Sequence, residues 1–318
     1  MNNEFIREGE APARADRRSL MSRVGVGATA AAVIATMGPV GAALGSGAAH
    51  AQSALTDVDV LNFALNLEYL EAEFYSRGAT GQGLPASLTG GTGLGGGVNG
   101  GGRVPFASPF FFEVAAKIAV DKLAHVNFLR NQLGSAAISR PLIDLAGGFQ
   151  AVALSSGAIP AGAIFDPFAD EISFFLGAFI LTEVGVSAYI GAAAAISNPG
   201  VLTAAAAILS TRAYHAGAIR GLLTQASANI NIPAADVAKA ALLPFQTQAI
   251  ANGHSTLSQA VTGTGITYVQ NQSARLTNTD GNSLSYRRSP SQVMNIVYGG
   301  PSRQNGNFFP NGLNGKIS

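Results

Sequence analysis

Three dipeptides in this chain place a helix-capping side chain directly before a proline, and they constrain the fold more than any other feature. They are Ser108-Pro109, Asp166-Pro167 and Asn198-Pro199. Capping side chains satisfy free N–H groups at a helix start, and proline suits the first helical position because it has no N–H to leave unpaired. With Thr56, which has an acid three residues later, these signals predict four long helices. We predict helices at residues 56–77, 109–133, 167–197 and 199–228.

The segments between these helices also indicate a bundle. The connection from Gly134 to Phe165 is long enough to run the length of a bundle, as a single crossover requires. The segment from Gly78 to Gly102 is rich in glycine but lacks the Lys-Ser/Thr ending of a phosphate-binding loop, so we interpret it as a surface loop. The sequence therefore predicts an all-α four-helix bundle with a long crossover and a Gly-rich loop between helices 1 and 2.

The chain beyond the fourth helix changes in composition. A fifth, shorter helix is predicted after Pro233, and from Gly253 onward Asn, Ser, Thr and Gly dominate, so His254 is assigned to a loop. This composition indicates an extended tail against the bundle, in which Val293–Tyr298 and Phe308–Pro310 carry apolar side chains that need burial. We therefore assign residues 52–230 to the bundle and residues 231–318 to an irregular C-terminal extension.

The N-terminal segment has the pattern of a removable export signal. Arg17-Arg18-Ser19-Leu20-Met21 precedes a weakly apolar stretch from Val24 to Leu44, and Ala49-His50-Ala51 has the small-residue pattern of a cleavage site. A twin-arginine signal peptide is therefore expected at 1–51, with a mature chain that begins near Gln52. Such a chain would be exported and would be periplasmic or extracellular.

Charge and cysteine content exclude several classes of protein. The chain has 19 Lys and Arg and 18 Asp and Glu, and removing the leader with its five arginines and four acids leaves 14 of each. A neutral chain lacks the basic footprint of a nucleic-acid-binding protein. The absence of cysteine excludes disulfides, thiolate metal sites and cysteine nucleophiles. Charged residues are only 12% of the chain, so we expect a homo-oligomer or another protein partner to cover part of the surface.

Several charged residues fall on apolar helix faces. At 100° per residue, Glu68 and Glu71 lie within the apolar arc of the first helix, whereas Glu73, Asn62 and Asn66 lie opposite. Burying an isolated carboxylate is costly, so Glu68 and Glu71 need cations, metal or water as partners.

The third predicted helix is apolar all round except for Glu183. Residues 172–196 are long enough to cross a bilayer. Glu183 at the centre, with Arg212 and His215 in the next helix, instead favours a helix buried in a bundle. We expect no membrane span in the mature chain.

Four segments resemble, in order, the helices of the ferritin-like superfamily. Glu68 is followed seven residues later by Tyr75, as in the first helix of bacterioferritins and rubrerythrins. The second helix of the superfamily is similar to His125-Val126-Asn127-Phe128-Leu129-Arg130, the third to the segment with Glu183 and Tyr189, and the fourth to His215-Ala216-Gly217-Ala218-Ile219-Arg220. The resemblance covers most of the chain after residue 55 and implies a ferritin-like four-helix bundle.

The C-terminal tail narrows this resemblance to one group. Pro290–Gly299 and Phe308–Gly312 are similar to the tails of the ferritin-like family that includes plant desiccation-related proteins and many exported bacterial proteins. That resemblance implies a structural, binding or stress-related role. We assign no catalytic residue from the sequence.

Two positions depart from the pattern of a di-iron bundle. Such bundles take one Glu from each of two helices and a Glu-x-x-His pair from each of the other two. Here the pairs read Lys122-Leu123-Ala124-His125 and Arg212-Ala213-Tyr214-His215, with cations in place of the two glutamates. The favoured hypothesis is a degenerate di-iron site, in which a buried charge cluster balances itself without metal. Its predicted members are Glu68, Glu71, Lys122, Glu183 and Arg212.

The alternative hypothesis keeps a reduced metal site and makes the protein an oxidoreductase or a storage protein. The ligands would be Glu68, His125, Glu183 and His215, a set compatible in type with one iron, manganese or zinc ion. Against it, a divalent ion close to the two cations would meet repulsion of about 4 kcal/mol per pair of unit charges at 4 Å, for an effective dielectric constant near 20. No cofactor is therefore favoured.

Overall fold

The structure is a computed structural model of the chain, and it describes residues 55–228, 234–259, 264–266 and 276–318. The expected signal peptide at 1–51 and the boundary between residues 230 and 231 lie outside the described residues. The helices are α1 (Asp57–Thr80), α2 (Pro109–Leu133), α3 (Leu145–Ser155), α4 (Glu171–Ala193), α5 (Pro199–Ser227), α6 (Val237–Ala240), α7 (Leu243–Ser258) and α8 (Pro290–Tyr298). Within the described ranges the strands are the two-residue β1 (Val98–Asn99) and β2 (Ile143–Asp144). The predicted all-α class is confirmed.

Four of these helices, α1, α2, α4 and α5, pack together as a bundle. The capping signals read from the sequence start three of them. Thr56 and Asp59 form a capping box at α1, in which the Thr56 N–H donates to the Asp59 carboxylate at 2.8 Å. Ser108 and Asn198 accept hydrogen bonds from N–H groups in the first turns of α2 and α5. These caps fix where the long helices begin.

The third bundle helix starts later than predicted. α4 begins at Glu171, and its N-cap residue is Asp170. The Asp166-Pro167 pair starts a tight turn instead, because the Asp166 carboxylate accepts a hydrogen bond at 2.9 Å from the N–H of Phe168, only two residues on. The observed helix is therefore four residues shorter at each end than the predicted span of 167–197.

The long crossover contains a helix that the sequence reasoning did not predict. α3 lies within the span from Gly134 to Phe165, and its N-cap is Asp144, which accepts a hydrogen bond from Gly147 N at 2.8 Å. Just before α3, β2 pairs in parallel with β1 of the Gly-rich segment, with Val98 opposite Ile143. The Gly-rich segment and the crossover are thus joined to each other beside the bundle.

The C-terminal extension is more regular than predicted. His254, assigned to a loop from the sequence, lies in α7 and is buried. Ser289 and Gln292 form a capping box that starts α8 within the expected extended tail. Val293 and Phe308, from the two tail segments expected to need burial, are buried in the core.

α1 is the core helix of the bundle, because every residue from Val60 to Tyr75 is buried. The side opposite its apolar arc is covered by the crossover and by the C-terminal tail. Asn62 Nδ2 donates to the carbonyl of Ala136 at 3.0 Å, and Asn66 Nδ2 donates to the carbonyl of Asn314 at 2.8 Å. Both amides therefore hold connecting segments against α1.

Glu73 also holds other segments of the chain against α1. Its carboxylate accepts a hydrogen bond from Arg77 Nε at 3.0 Å and contacts the guanidinium of Arg140 in the crossover. Arg140 Nη2 also donates to the carbonyl of Gly96 at 2.6 Å. This ion-pair network joins α1, the crossover and the Gly-rich segment.

α4 is the one helix in the described part of the chain that is long and apolar enough to span a membrane. Of its most apolar stretch, 78% is buried inside the protein. Apolar residues on every side are also typical of a helix enclosed by other helices.

Candidate functional site

Four charged side chains meet in the interior of the bundle, and we call them the central cluster. They are Glu68 and Glu71 of α1, Lys122 of α2 and Arg212 of α5. Glu71 is 2% exposed and the other three are 0% exposed. The structure thus brings together four of the five residues that the sequence placed in a buried charge cluster.

Each cation of the central cluster contacts both carboxylates. Arg212 reaches Glu68 through Nη1 and Glu71 through Nη2. Lys122 Nζ lies 2.6 Å from Glu71 Oε2 and 3.5 Å from Glu68 Oε2. Two carboxylates therefore face two cations, and their formal charges cancel in a region where an unpaired charge would be very costly.

Electrostatics keep Glu68 and Arg212 ionised. Burial by itself raises the pKa of Glu68, but the positive charges of Arg212 and Lys122 outweigh burial and hold this pKa well below its usual range. Burial likewise lowers the pKa of Arg212, but Glu68 and Glu71 outweigh it and raise this pKa above its usual value. Both groups therefore carry their charges at neutral pH.

Tyr189 of α4 completes the surroundings of Glu68. Its hydroxyl donates to Glu68 Oε1 at 3.0 Å, and the Arg212 guanidinium lies over its ring, 4.9 Å from the ring centre. Burial and the negative charge of Glu68 raise the pKa of Tyr189 well above its usual range. Tyr189 therefore remains a neutral hydrogen-bond donor.

Gly185 makes room for the guanidinium between α4 and α1. A Cβ atom at this position would overlap the Arg212 guanidinium and would lie 2.7 Å from Glu71 Oε1. Gly185 and Tyr189 are four residues apart and so share one face of α4. On the face of α4 that contacts the central cluster, the residue closest to the Arg212 guanidinium is thus a glycine.

Glu183 lies outside the central cluster, which corrects the prediction that placed it there. Its Oε1 accepts a hydrogen bond from Arg220 Nε of α5 at 2.6 Å, and Arg220 lies over the ring of Phe179 at 5.1 Å. The reason is helical phase, because Glu183 is two residues from Gly185 and so points about 200° away around α4.

The two histidines have different partners. His125 Nδ1 lies 3.4 Å from Glu68 Oε2, at the edge of the central cluster. His215 Nε2 lies 3.0 Å from Asp121 Oδ2. Burial and the charge of Lys122 lower the pKa of His215 to about 4, although Asp121 opposes this shift. The His215 imidazole is therefore neutral at pH 7.

The four ligands of the alternative metal site have separate partners in the structure. The proposed ligands were Glu68, His125, Glu183 and His215. Glu68 and His125 are in contact, but Glu183 is held by Arg220, and His215 is held by Asp121. In the described parts of the chain, no group of three or more His, Cys, Asp or Glu side chains could hold a metal ion.

Gly185 and Arg220 are the site residues that sequence reasoning did not single out. Arg220 had a usable signal, because it is a lone cation among the apolar residues Ile219, Leu222 and Leu223, as Glu183 is a lone acid in α4. Two lone opposite charges on successive apolar helices indicate a pair. A glycine inside a helix has no comparably specific signal, since its absent side chain leaves no pattern to read.

The sequence profile of the ferritin-like domain matches residues 56–225 of this chain. That span contains the central cluster and almost all of the four bundle helices. The chain belongs to the ferritin-like domain family. The predicted resemblance and the all-α ferritin-like fold are therefore confirmed.

Two relatives of this ferritin-like protein carry different names. It is 32% identical over 169 residues to the desiccation-related protein PCC13-62 of Craterostigma plantagineum, and this match spans 53% of each chain, about half of that relative. It is 26% identical over 271 residues to the ferritin-like catalase Nec2 of Nesocodon mauritianus, a match that covers 82% of this chain and 85% of that protein. No solved structure matches the chain significantly.

Proposed function

We propose that this protein is an exported ferritin-like protein in which a salt-bridged cluster replaces the di-metal centre, and that its role is structural, binding or stress-related. The observation that carries the proposal is the contact of Lys122 and Arg212 with both Glu68 and Glu71. The two side-chain cations supply the positive charge that metal ions would supply to these carboxylates. The name of the desiccation-related relative supports the stress-related role.

Repulsion opposes a metal ion in the central cluster. Unit charges 4 Å apart interact by about 4 kcal/mol at an effective dielectric constant near 20, and a divalent ion doubles each repulsive contribution. Lys122 and Arg212 are both fully buried, so neither lies beside solvent into which it could turn. The central cluster would instead specify how α1, α2 and α5 pack, a known use of buried polar groups.

The first test is the metal content of protein purified without chelator or histidine tag. Elemental analysis is expected to find less than about a tenth of an atom of iron, manganese or zinc per chain, far below the stoichiometric loading of a built metal site. Oxygen release from hydrogen peroxide is expected to equal the buffer blank. One or two tightly held atoms per chain, lost in His125→Ala, would contradict the proposal.

A second experiment tests whether replacing the two cations restores metal binding. Lys122→Glu combined with Arg212→Glu restores the Glu-x-x-His pattern on both helices, and we expect it to bind divalent metal more tightly than the wild type. The matched control is Lys117→Glu combined with Arg103→Glu, which makes the same charge change at two exposed positions. Equal metal binding by the two double variants would argue that the cations at 122 and 212 do not exclude metal.

The second candidate function is a metal-binding oxidoreductase or storage protein, and the long match to a ferritin-like catalase favours it. Such a protein would hold one iron, manganese or zinc ion near Glu68 and His125, which are already in contact. The elemental analysis and the peroxide assay separate this candidate from the first.

Export is part of the proposal and is supported by Arg17-Arg18 and by Ala49-His50-Ala51. N-terminal sequencing of exported protein is expected to begin near Gln52. Replacing Arg17 and Arg18 by lysines is expected to leave unprocessed protein in the cytoplasm. Normal processing of that variant would argue against the twin-arginine route.

Self-association is also proposed, because large apolar side chains are exposed on the outer bundle helices. Phe110 and Val120 of α2 are each 62% exposed, and Tyr214 of α5 is 77% exposed. Light scattering of the purified protein is expected to give a mass above that of one chain. A monomer at all concentrations would direct attention to a different protein partner.

A further inference from the structure

A second group of buried polar side chains lies where the C-terminal extension packs on the bundle. We call Glu183, Arg220, His254 and Arg288 the tail-side cluster. They come from α4, α5, α7 and the segment that leads into α8. Each is at most 8% exposed. None belongs to the central cluster, so a binding role for the tail-side cluster does not depend on the proposed function.

The charges of the tail-side cluster do not cancel. Glu183 pairs with Arg220 at 2.6 Å. Among the described residues no carboxylate lies within 4.0 Å of Arg288, whose Nη1 donates to Ser187 Oγ at 2.8 Å and whose Nε donates to Ser258 Oγ at 3.4 Å. Every Asp and Glu after residue 54 belongs to the described residues. The cluster therefore carries one positive charge in excess.

The backbone of Arg288 is fixed against α4. Its N–H donates to the carbonyl of Ser187 at 3.0 Å, and a Cβ at Gly191 would overlap the Arg288 carbonyl group. Its side chain therefore enters the interior from a fixed point. Burial lowers the pKa of Arg288, and the negative charge of Glu183 only partly offsets this effect. A buried cation whose charge is only partly compensated favours the binding of an additional anion.

His254 supplies a polar atom at the same place. Its Nε2 is buried and has no hydrogen-bond partner among the described residues. Burial and the charge of Arg288 lower the pKa of His254 to about 3, so the ring is neutral at pH 7. A neutral imidazole can still donate one N–H hydrogen bond, depending on its tautomer.

Two neighbouring cavities adjoin these groups. The smaller cavity, about 10 Å³, is lined by His254 and Arg288, and the larger, about 60 Å³, is lined by Arg220. Glu183 and Asn278 line both. One water needs roughly 10–15 Å³ of such space, so the smaller cavity has room for about one water-sized group and the larger cavity for a few waters.

We propose that the tail-side cluster binds one small monovalent anion of the halide type, beside Arg288 and Nε2 of His254. The excess positive charge attracts the anion, and Arg288 has five N–H donors, of which the contacts to Ser187 and Ser258 use two. Leu276, at the rim of the larger cavity, is 49% exposed, so this cavity lies next to solvent.

Bromide is the probe for this site. Crystals of the purified protein grown without chloride and soaked in sodium bromide are expected to show an anomalous peak within about 3.5 Å of an Arg288 nitrogen. Sodium bromide is also expected to raise Tm by about 3 °C relative to equimolar sodium gluconate, since a ligand that binds only the folded state stabilises it. Gluconate is too large for these cavities.

Two arginines that are adjacent in the chain provide a matched pair of variants. Arg288→Gln is expected to lose the response of Tm to bromide. Arg287→Gln removes the same charge from an exposed side chain and is expected to keep the response. Glu183→Gln leaves Arg288 in place and raises the excess charge from one to two, so bromide is expected to bind about tenfold more tightly.

Each outcome decides for or against the site. No bromide peak at Arg288, or an equal response of Tm in wild type and Arg288→Gln, overturns the proposal. If Arg288→Gln does not fold, Glu183→Gln decides alone, because it is close to isosteric and keeps both arginines. Unchanged or weaker bromide binding by Glu183→Gln would also overturn the proposal.

Discussion

The central cluster and the tail-side cluster are built from the same kinds of side chain, but their charge balance differs. Two carboxylates face two cations in the central cluster, whereas one carboxylate faces two guanidiniums in the tail-side cluster. Both groups are buried, so solvent and salt screen neither of them effectively. Charge balance is therefore a local property in this protein, although the mature chain is expected to be neutral as a whole.

α4 separates the two clusters and determines the difference. Its face toward the central cluster presents Gly185 and Tyr189, while Glu183 points to the tail side. If Glu183 lay in the central cluster, three carboxylates would face two cations there, and Arg220 and Arg288 would both lack an acid. A shift of the carboxylate by two positions along α4, from 183 to 185, would thus move one negative charge from the tail-side cluster to the central cluster.

The largest loss of stability is expected when one cation is removed from the central cluster. Lys122→Met leaves Glu68 and Glu71 with Arg212 alone, and we expect it to reduce the free energy of unfolding by about 3–5 kcal/mol, measured by urea titration. Lys117→Met is the control, since Lys117 is 69% exposed and its ion pair with Asp121 is worth less than about 1 kcal/mol.

A double variant distinguishes the stability lost through an unpaired buried charge from the stability lost through poorer packing. Adding Glu71→Leu to Lys122→Met removes an acid with its cation, so we expect it to recover part of the lost stability. If Lys122→Met costs no more than Lys117→Met, charge balance does not hold the central cluster together.

Gly185→Ala disturbs the central cluster without changing its charge. The added methyl group would displace the Arg212 guanidinium, and overpacking of this kind reduces the free energy of unfolding by up to about 3 kcal/mol. Gly217→Ala on α5 is the control, because the nearest atom to its Cβ, the Leu276 carbonyl oxygen, is 3.7 Å away. That change is expected to be neutral or stabilising by about 0.5–1 kcal/mol. Equal effects at the two positions would refute the close approach of Arg212.

The pH dependence of the free energy of unfolding reports on His254 of the tail-side cluster. The pKa of His254 is lowered from 6.5 to about 3 in the folded protein, so between these values the unfolded chain binds a proton that the folded chain does not. Stability should then fall as the pH drops below 6.5, by about 1.4 kcal/mol per unit for this histidine, or roughly 2 kcal/mol at pH 5. Urea titrations of wild type and His254→Gln at pH 7, 6 and 5 measure the difference.

His215, beside the central cluster, should act in the same direction over a narrower range. The pKa of His215 is about 4 in the folded protein. As the pH falls, the loss of stability due to His215 therefore stops growing near pH 4, about one pH unit above the point where the loss due to His254 stops growing. Identical pH slopes for wild type and His254→Gln would show that His254 accepts a proton as easily in the folded protein as in the unfolded one.

The smallest effect is expected for Arg288→Met, measured in gluconate without halide. The variant loses the hydrogen bonds to Ser187 and Ser258, but it also removes an unbalanced buried charge, so we expect a net loss of about 1 kcal/mol. Arg287→Met, at the adjacent exposed position, should change the free energy of unfolding by less than about 0.5 kcal/mol. A loss as large as that of Lys122→Met would mean that Arg288 has a strong partner and that the two clusters do not differ.

Local signals in the sequence predicted the bundle well, because caps and prolines act within one helical turn. Ser108 and Asn198 start helices as expected, whereas Asp166 does not, since the same side chain can also form a two-residue turn. The covering of α1 by Asn314 and Arg140 could not be read from such signals. Those contacts join segments far apart in the chain.

The site was predicted in part for the same reason. Charges on an apolar helix face identified Glu68 and Glu71, and the resemblance to the Glu-x-x-His pattern identified Lys122 and Arg212. These four side chains do lie together. The apolar residues around Glu183 also indicated that it is buried, but an all-apolar helix does not show which neighbouring helix lies on each side. The tail-side cluster was missed because Arg288 and His254 reach it only through the fold of the C-terminal extension.

The absent side chain at position 185 has a consequence for related chains. A Cβ atom there would overlap the end of the Arg212 side chain, which would have to shift to make room. Glycine at this position costs about 1 kcal/mol in helix propensity relative to alanine. The arginine at 212 outweighs that cost, so we expect the residues at 185 and 212 to vary together among related chains.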